Sequence, residues 1–210
     1  MRKINLLTKL NLSLNYIYET IVTTYTIEDK LPHAAPMGIR LINNQTAAIS
    51  PYLNTTTYKN IENSRCAVIN FIYDLDIFFQ STFNLSKPKL PLSYFKKASK
   101  VDAPRLKTAI AYIEVRVLEI QKNSERSTIT GEIVNWEIIA NPIFPLNRGY
   151  NLVLESIIHA TRILAYKNDE EKVRPLEDLI FQYRKLIEKV APAGKFVDLM
   201  NKIQDIIKKK

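Results

Sequence analysis

Cysteine, histidine and glycine are scarce in this sequence. A single Cys and two His among 210 residues provide neither an internal disulfide nor a cluster with the spacing of zinc ligands. The four Gly exclude collagen-like and Gly-rich linker architectures. The Walker A, Gly-x-Gly-x-x-Gly and Gly-x-Ser-x-Gly motifs are missing, so P-loop NTPases, dinucleotide-binding Rossmann domains and serine hydrolases lose their usual signatures. Cys66 opens an apolar strand and is predicted to be a buried hydrophobe.

Long apolar runs are also absent. The segment from Met1 to Lys9 has no uninterrupted apolar stretch and no small-residue cleavage site, so it does not resemble a secretory signal. No run approaches the roughly 20 residues that a membrane-spanning helix needs. The chain is nevertheless 46% hydrophobic and 24% charged, which is enough to form a core. We therefore expect a folded cytoplasmic protein with no membrane partner.

Positive charge is in excess and is concentrated in one segment. The chain has 30 Lys and Arg against 21 Asp and Glu, a net charge of +9, and seven of the basic residues lie between Lys87 and Lys107 with one acidic residue, Asp102. Three prolines and the lack of a periodic pattern predict a long basic loop over 84–107. Such a loop is either a lid or binding segment, or a solvated excursion.

The pattern of strands and helices changes near residue 147. Alternating β-branched and aromatic residues predict strands, and two short helices interrupt them; beyond Asn147 the hydrophobic period becomes helical. The expected fold is mainly β with α: an antiparallel barrel over 1–147 followed by a C-terminal helical region over 148–210. The predicted strands are 16–26, 33–42, 46–50, 65–72, 109–121 and 126–139, and the predicted helices are 55–63, 75–83, 149–166, 176–190 and 196–207.

The segment from Ser50 to Ile61 has the outline of a phosphate site. Its hydroxyl groups lie at the predicted N-terminus of a helix, where unpaired N–H groups and the dipole favour an anion. Lys59 and Asn60 add donors one turn further along. The alternative is that Thr and Asn side chains cap this helix and bind nothing else.

The segment from His33 to Ile39 could accommodate a flat ring. Its residues are small, Pro36 removes a backbone donor, and Gly38 lacks a Cβ, so a ring could lie against the backbone. A β-bulge explains the same residues equally well.

A row of polar residues follows one face of the predicted helix after Gly149. Glu155, His159, Arg162 and Tyr166 are spaced at i, i+4, i+7 and i+11. A carboxylate, an imidazole, a guanidinium and a phenol in line could bind an anionic substrate or supply a proton. They could equally form an ion-paired helix face.

Five blocks in order make the chain similar to a known family. The matching blocks are 19–24 (ETIVTT), 33–38 (HAAPMG), 57–61 (TYKNI), 67–71 (AVINF) and 158–162 (IHATR). Through them the chain resembles the DUF447 family, found in archaea and methylotrophs, a branch of the FMN-binding split-barrel superfamily that also contains flavin reductases and pyridoxamine-phosphate-oxidase-like proteins. The resemblance implies a homodimeric split barrel with FMN near the subunit interface and a helical C-terminal region.

The resemblance also implies positions for the cofactor. The segment from Thr55 to Asn60 would hold the phosphate, residues 36–39 would lie against the isoalloxazine ring, and Asn70 would be a polar ring contact. His33, His159 and Arg162 are the candidates for substrate contact. The implied cofactor residues are Pro36, Met37, Gly38, Ile39, Ser50, Thr55, Thr57, Tyr58, Lys59, Asn60 and Asn70.

Three functions follow from these observations. The first is an FMN-dependent oxidoreductase or flavin reductase that uses a small-molecule electron donor or acceptor. The second is a flavin-binding carrier or sensor module without turnover. A basic nucleic-acid-binding protein comes third, because the charge is confined to one segment without an aromatic stacking array or a reader motif.

Overall fold

The computed structural model describes residues 6–10, 12, 14, 17–140 and 148–209, and the chain folds as two compact units. A barrel unit comprises Met1–Tyr73 and Phe83–Pro142, and a helical unit comprises Asp74–Thr82 and Ile143–Lys210. The predicted strand start at Tyr16 and the predicted boundary residue Asn147 lie outside the described residues.

The barrel unit is built from antiparallel strands, as predicted. Its elements in chain order are α1 (Leu6–Leu10), β1 (Tyr18–Tyr25), β2 (Pro32–Asn43), β3 (Thr46–Ile49), α2 (Thr56–Ser64), β4 (Cys66–Phe71), β5 (Phe95–Lys97), β6 (Pro104–Leu106), β7 (Ala111–Lys122) and β8 (Ser127–Ile138). Six of these strands close a barrel in the order β1-β2-β3-β8-β7-β4. The helix α1 carries no periodic signal in the sequence and was not predicted.

The barrel interior is filled by aliphatic side chains from alternate strand positions. Val22, Ile39, Ile69 and Ile113 are fully buried there, and Ile61 of α2 joins them. Burial of side chains of this size stabilises a fold by about 1.5–3 kcal/mol each. The outward faces of β4 and β7 form a second cluster with residues 98–103. Strands β4 and β7 thus have one face in each cluster, which explains why β4 has a nearly continuous apolar sequence.

The barrel is split because β3 is much shorter than β2. The two strands pair only from Ile39/Ile49 to Asn43/Thr46, whereas the first half of β2 pairs with β1 alone among the described strands. The chain leaves β3 after Ile49 and turns into α2, which opens a gap beside residues 33–38 of β2. Pro36 lies on this open edge, where a proline removes no ladder donor. The pairing of β2 with β1 is regular throughout, and its register shift lies further along, between Leu41 and Asn43.

The basic segment 84–107 is more ordered than a long loop. A single 3-10 turn at Leu92–Tyr94 leads into an antiparallel hairpin of β5 and β6. The loop prediction is wrong for these residues. Strands of three residues are too short to show a period of two in the sequence.

The described part of the helical unit contains four helices. They are α3 (Leu75–Phe83), α4 (Arg148–Ala165), α5 (Glu170–Val190) and α6 (Lys195–Lys208). The ammonium group of Lys195 bridges Asp74 at 3.0 Å and Asp76 at 2.9 Å, which ties the start of α3 to α6. The predicted division at 147/148 places residues 74–82 with the barrel, whereas the structure groups them with the C-terminal helices.

The helix α5 begins earlier than its hydrophobic period suggests. Asp169 caps it by accepting a hydrogen bond from the backbone N–H of Lys172, and Glu170 and Glu171 occupy its first turn. Pro175, which precedes the predicted start at residue 176, therefore lies inside the helix. None of the described helices combines the length and apolarity that crossing a bilayer requires.

Candidate functional site

A cavity of about 490 Å³ lies at the split of the barrel, within the barrel unit. Its volume falls in the usual range for small-molecule sites. One wall is the open edge of β2 and the opposite wall is the segment that leads into α2. The lining residues are His33, Ala35, Pro36, Met37, Gly38, Ser50, Pro51, Tyr52, Asn54, Thr55, Thr56, Thr57, Lys89 and Arg126.

The β2 wall presents backbone to the cavity. Among the described strands, residues 33–38 pair with β1 on one side only, so alternate N–H and C=O groups on the other side have no described strand opposite them. Gly38 lines this wall and also has a close neighbour on the β1 side. A Cβ at this position would lie 2.9 Å from Cγ2 of Ile17, so the glycine makes room for a neighbour on the β1 side.

The first turn of α2 forms the opposite wall. Thr55 is the N-cap: its hydroxyl accepts a hydrogen bond from the N–H of Tyr58 and donates one to the carbonyl of Tyr52 at 2.7 Å. Within the described structure, the backbone N–H groups of Thr56 and Thr57 have no hydrogen-bond acceptor. Helix starts leave such donors free, and the helix dipole adds about half a positive charge to them. This turn is therefore capped and still open to an anion.

His33 joins the two walls. Its Nε2 atom lies 3.0 Å from Oγ1 of Thr57. Burial, assisted by the ammonium group of Lys89, lowers the pKa of His33 from 6.5 to about 4. The imidazole is consequently neutral at physiological pH and can serve as a hydrogen-bonding group rather than as a cation.

Arg126, in the turn between β7 and β8, brings a positive charge to the cavity. Its guanidinium carbon lies 3.8 Å from the centroid of the Tyr52 ring, and the guanidinium also donates a hydrogen bond to the Tyr52 hydroxyl. The backbone fixes this pair, since Leu53 donates to the carbonyl of Glu125 and Ser127 donates to that of Pro51, both at 2.9 Å. Sequence reasoning missed Arg126 because only barrel closure brings the β7–β8 turn beside the start of α2.

Lys89 supplies a second cation from the basic segment. The side-chain amide of Asn84 donates to the Lys89 carbonyl at 2.7 Å, and the adjacent Leu90 is fully buried. Burial lowers the pKa of Lys89 from its ordinary value. The sequence shows the local excess of lysine but does not indicate which of these lysines reaches a cavity.

Comparison with protein families identifies the chain. Residues 18–140 match the N-terminal domain, and residues 147–209 the C-terminal domain, of a family described as a protein of unknown function, DUF447. The chain belongs to the DUF447 family. The resemblance noted from the sequence is therefore confirmed.

Solved structures confirm the fold of this DUF447 chain. An FMN-bound DUF447 protein from Methanosarcina mazei has a TM-score of 0.78 at 25% identity, over 95% of this chain and 99% of that chain. The 2-nitrobenzoate 2-nitroreductase of Pseudomonas fluorescens has a TM-score of 0.52 at 21% identity, over 60% and 66% of the two chains. An FMN-binding protein of Thermus thermophilus with bound 1-cyclohex-2-enone has a TM-score of 0.51 at 15% identity, over 59% and 72%. The predicted split barrel with a C-terminal helical region is confirmed.

Several predicted cofactor residues of this DUF447 chain line the cavity and others do not. Pro36, Met37, Gly38, Ser50, Thr55 and Thr57 line it. Ile39 and Tyr58 belong to the hydrophobic core, and the side chain of Lys59 is exposed. Asn60 is buried, and its amide donates to the hydroxyl of Thr24 at 2.9 Å.

Asn70 is fully buried and both ends of its amide are occupied. The nitrogen donates to the Ile21 carbonyl and the Thr23 hydroxyl, each at 2.9 Å, and the oxygen accepts from the N–H of Leu106 at 2.8 Å. Asn70 thus connects β1, β4 and β6 and is not among the residues that line the cavity.

The candidates on α4 belong to the helical unit. His159 is 7% exposed, stacks on Tyr183 with 5.9 Å between ring centroids, and has a buried Nδ1 atom with no hydrogen-bond partner in the described structure. Burial lowers the pKa of His159. Glu155, Arg162 and Tyr166 are exposed. The predicted polar row is therefore divided between a buried histidine and an exposed helix face.

Proposed function

We propose that this chain binds FMN in the split-barrel cavity and acts as an FMN-dependent oxidoreductase. One observation carries the proposal: a single cavity places free helix N–H groups and two cations opposite an unpaired strand edge. A flavin mononucleotide has a matching division into a phosphate and a flat ring with polar edges.

The charge at the α2 end suits a phosphomonoester. Lys89 and Arg126 line the cavity, and the first turn of α2 adds the positive end of its dipole. A phosphomonoester carries a charge of about −1.5 to −2 at neutral pH. The side chains of Ser50, Thr55 and Thr57 would complete the set of donors. Such a site would favour FMN over riboflavin, which has no phosphate.

The β2 wall suits the ring. Ala35 and Gly38 keep side-chain bulk low, while the open edge offers backbone hydrogen-bonding groups to the polar edge of a heterocycle. When bound, the flavin would itself supply the hydride or electron transfer. The described lining residues include no carboxylate, and His33 is held neutral, so the protein contributes binding, orientation and electrostatics.

Relatives support the proposal. The Methanosarcina mazei protein of the same family is FMN-bound, and one of the more distant barrels is a nitroreductase. We further propose a homodimer, as the resemblance implies. Sedimentation equilibrium of the purified protein tests the dimer.

The first test is the visible absorption spectrum of protein purified without added cofactor, followed by FMN titration of the stripped protein. Flavin bands, release of FMN on heating and rebinding of FMN are the expected results. Colourless protein that takes up no FMN overturns the proposal.

A flavin-binding module without turnover is the second candidate. It is favoured by the same absence of a carboxylate among the described lining residues. Two assays distinguish the oxidoreductase from the binding module. One measures oxidation of reduced nicotinamides by the protein, and the other measures reoxidation of the photoreduced protein. Stable flavin with neither activity supports the module.

A further inference from the structure

The hairpin of β5 and β6 is fixed to the outside of the barrel. Its inner side chains, Phe95, Val101, Ala103 and Leu106, are all buried. Val101 and Ala103 pack against the outward residues of β4 and β7. A merely solvated excursion would not bury one face in this way.

A buried carboxylate secures the hairpin turn. Glu114 of β7 is fully buried and accepts hydrogen bonds from the backbone N–H groups of Ser99 at 3.0 Å, Lys100 at 2.6 Å and Val101 at 3.1 Å. The side chains of Ser99 and Asn135 each donate to it at 2.9 Å. Burial alone would raise the pKa of Glu114, but these hydrogen bonds outweigh it and lower the pKa.

The second strand of the hairpin is secured separately. The hydroxyl of Thr23 donates to the Pro104 carbonyl at 2.6 Å, and the guanidinium of Arg105 lies 4.5 Å from the centroid of the Tyr112 ring. The Arg105 side chain therefore stabilises the fold and is not exposed to a partner. The remaining cations of the hairpin are presented on a rigid support.

The hairpin carries a group of exposed basic residues. Lys96, Lys97, Lys100 and Lys107 are all exposed. Asp102 is the one acidic residue between 84 and 107, and Lys30 approaches it at 4.0 Å. We call Lys96, Lys97, Lys100 and Lys107 the hairpin patch.

We propose that the hairpin patch is a docking surface for an acidic protein. Strands of three residues span roughly 10 Å, which suits a small, transient, charge-steered interface. Nucleic-acid sites instead combine basic groups with exposed aromatic platforms or bidentate arginines. Here the aromatic residue of β5, Phe95, is 7% exposed, and the arginine of β6 is buried.

The location of the patch suggests what such a partner does. Thr23 holds β6, and the next residue of β1, Thr24, is paired with the cavity residue His33. A protein docked on the hairpin would therefore lie close to the cavity. That this partner exchanges electrons with a flavin rests on the function proposed above.

The test uses fluorescein-labelled poly-L-glutamate as an acidic polypeptide probe, with binding followed by fluorescence anisotropy at two salt concentrations. One variant carries Lys96→Glu, Lys97→Glu, Lys100→Glu and Lys107→Glu. The matched control carries Lys167→Glu, Lys189→Glu, Lys208→Glu and Lys209→Glu, all exposed lysines of the helical unit. Both variants lower the formal net charge of +9 by the same amount.

We expect at least tenfold weaker binding for the hairpin variant and less than a twofold change for the control. Equal losses in both would show a general charge effect and overturn the proposal. So would tighter binding of a duplex DNA of similar charge through the same four lysines. Lys→Gln versions provide milder substitutions if the Glu variants fail to fold. FMN titration is measured separately, so failure of the cofactor proposal is distinguishable.

Discussion

The Nε2 atom of His33 lies 3.0 Å from the hydroxyl oxygen of Thr57, and this contact joins β2 to the first turn of α2. The hydrogen bond crosses from one wall of the cavity to the other. Since both residues line the cavity, the geometry of its two walls is coupled through one neutral imidazole.

Protonation of His33 is expected to destabilise the fold. Because its pKa is lowered from 6.5 to about 4, the full stability is present above pH 6.5 and is lost as the pH falls toward 4, by up to about 3 kcal/mol. Urea unfolding at pH 7.5, 5.5 and 4.5 measures the slope of the free energy of unfolding against pH. The His33→Gln substitution should make this slope smaller. Because the pKa of His159 is also lowered, His159→Gln is the parallel control, and an unchanged slope in His33→Gln would contradict the prediction.

Arg126 is expected to discriminate FMN from riboflavin. Loss of a charge-assisted contact costs about 1.5–3 kcal/mol, so Arg126→Gln should weaken FMN binding roughly 10- to 100-fold and change riboflavin binding less than threefold. Flavin fluorescence quenching measures both ligands. Arg40→Gln, at an exposed arginine further along β2, is the matched control. An equal loss for the two flavins would place Arg126 away from the phosphate.

Tyr52 is expected to act by positioning Arg126. Tyr52→Phe retains the stacked ring and removes the hydroxyl, whereas Tyr52→Leu removes both interactions with the guanidinium. We expect Tyr52→Leu to weaken FMN binding by about three- to tenfold and Tyr52→Phe by less, since stacking at an exposed site contributes about 0.5–1 kcal/mol. The same titrations, repeated with Arg126→Gln in the background, should show no further loss if the effect passes through Arg126.

Glu114 is expected to hold the hairpin in place. Glu114→Ala leaves three backbone N–H groups without their acceptor and should destabilise the barrel unit by about 2–4 kcal/mol. Since hydrogen bonding lowers the pKa of Glu114, its contribution is present above the ordinary glutamate pKa of 4.5 and is lost as the pH falls below it. Limited proteolysis should then cut within 95–107. Resistance equal to the wild type would contradict this role.

Alanine substitutions at Gly131 and Gly38 provide a matched pair of tests for packing in the barrel. A Cβ on Gly131 would lie 3.2 Å from Cβ of Val115 and 3.3 Å from the backbone oxygen of Arg116, so Gly131→Ala should cost about 1–3 kcal/mol. A Cβ on Gly38 would meet the end of Ile17, a side chain that is 68% exposed and can turn away. Gly38→Ala should therefore lower the free energy of unfolding by less than Gly131→Ala does. Thermal unfolding of both variants ranks them.

The sequence predicts the long elements well. The barrel strands are rich in β-branched and aromatic residues, and the helices of the C-terminal region have a clear period of 3.6. The exceptions have local causes. The strands β5 and β6 are too short to carry a period, and the Asp169 cap starts α5 before residue 176, where the hydrophobic period begins.

The candidate site is only partly visible in the sequence. The first turn of α2 and the small residues of β2 are local patterns, and both line the cavity. Arg126 and Lys89 reach it only through the closure of the barrel and the path of the basic segment. Asn70 shows the reverse case, because a polar residue in an apolar strand suggests a ligand contact, whereas the tertiary fold uses it to hold β6.

The position of Glu114 in the chain also imposes an order on folding. Its register partner across the β7–β8 pair is Asn135, so the pairing of these two long neighbouring strands brings the carboxylate and its first side-chain donor together. The turn at 99–101 comes earlier in the chain, but the acceptor for its backbone N–H groups is supplied by β7. We therefore expect the basic hairpin to become ordered no earlier than β7, although it precedes β7 in the chain.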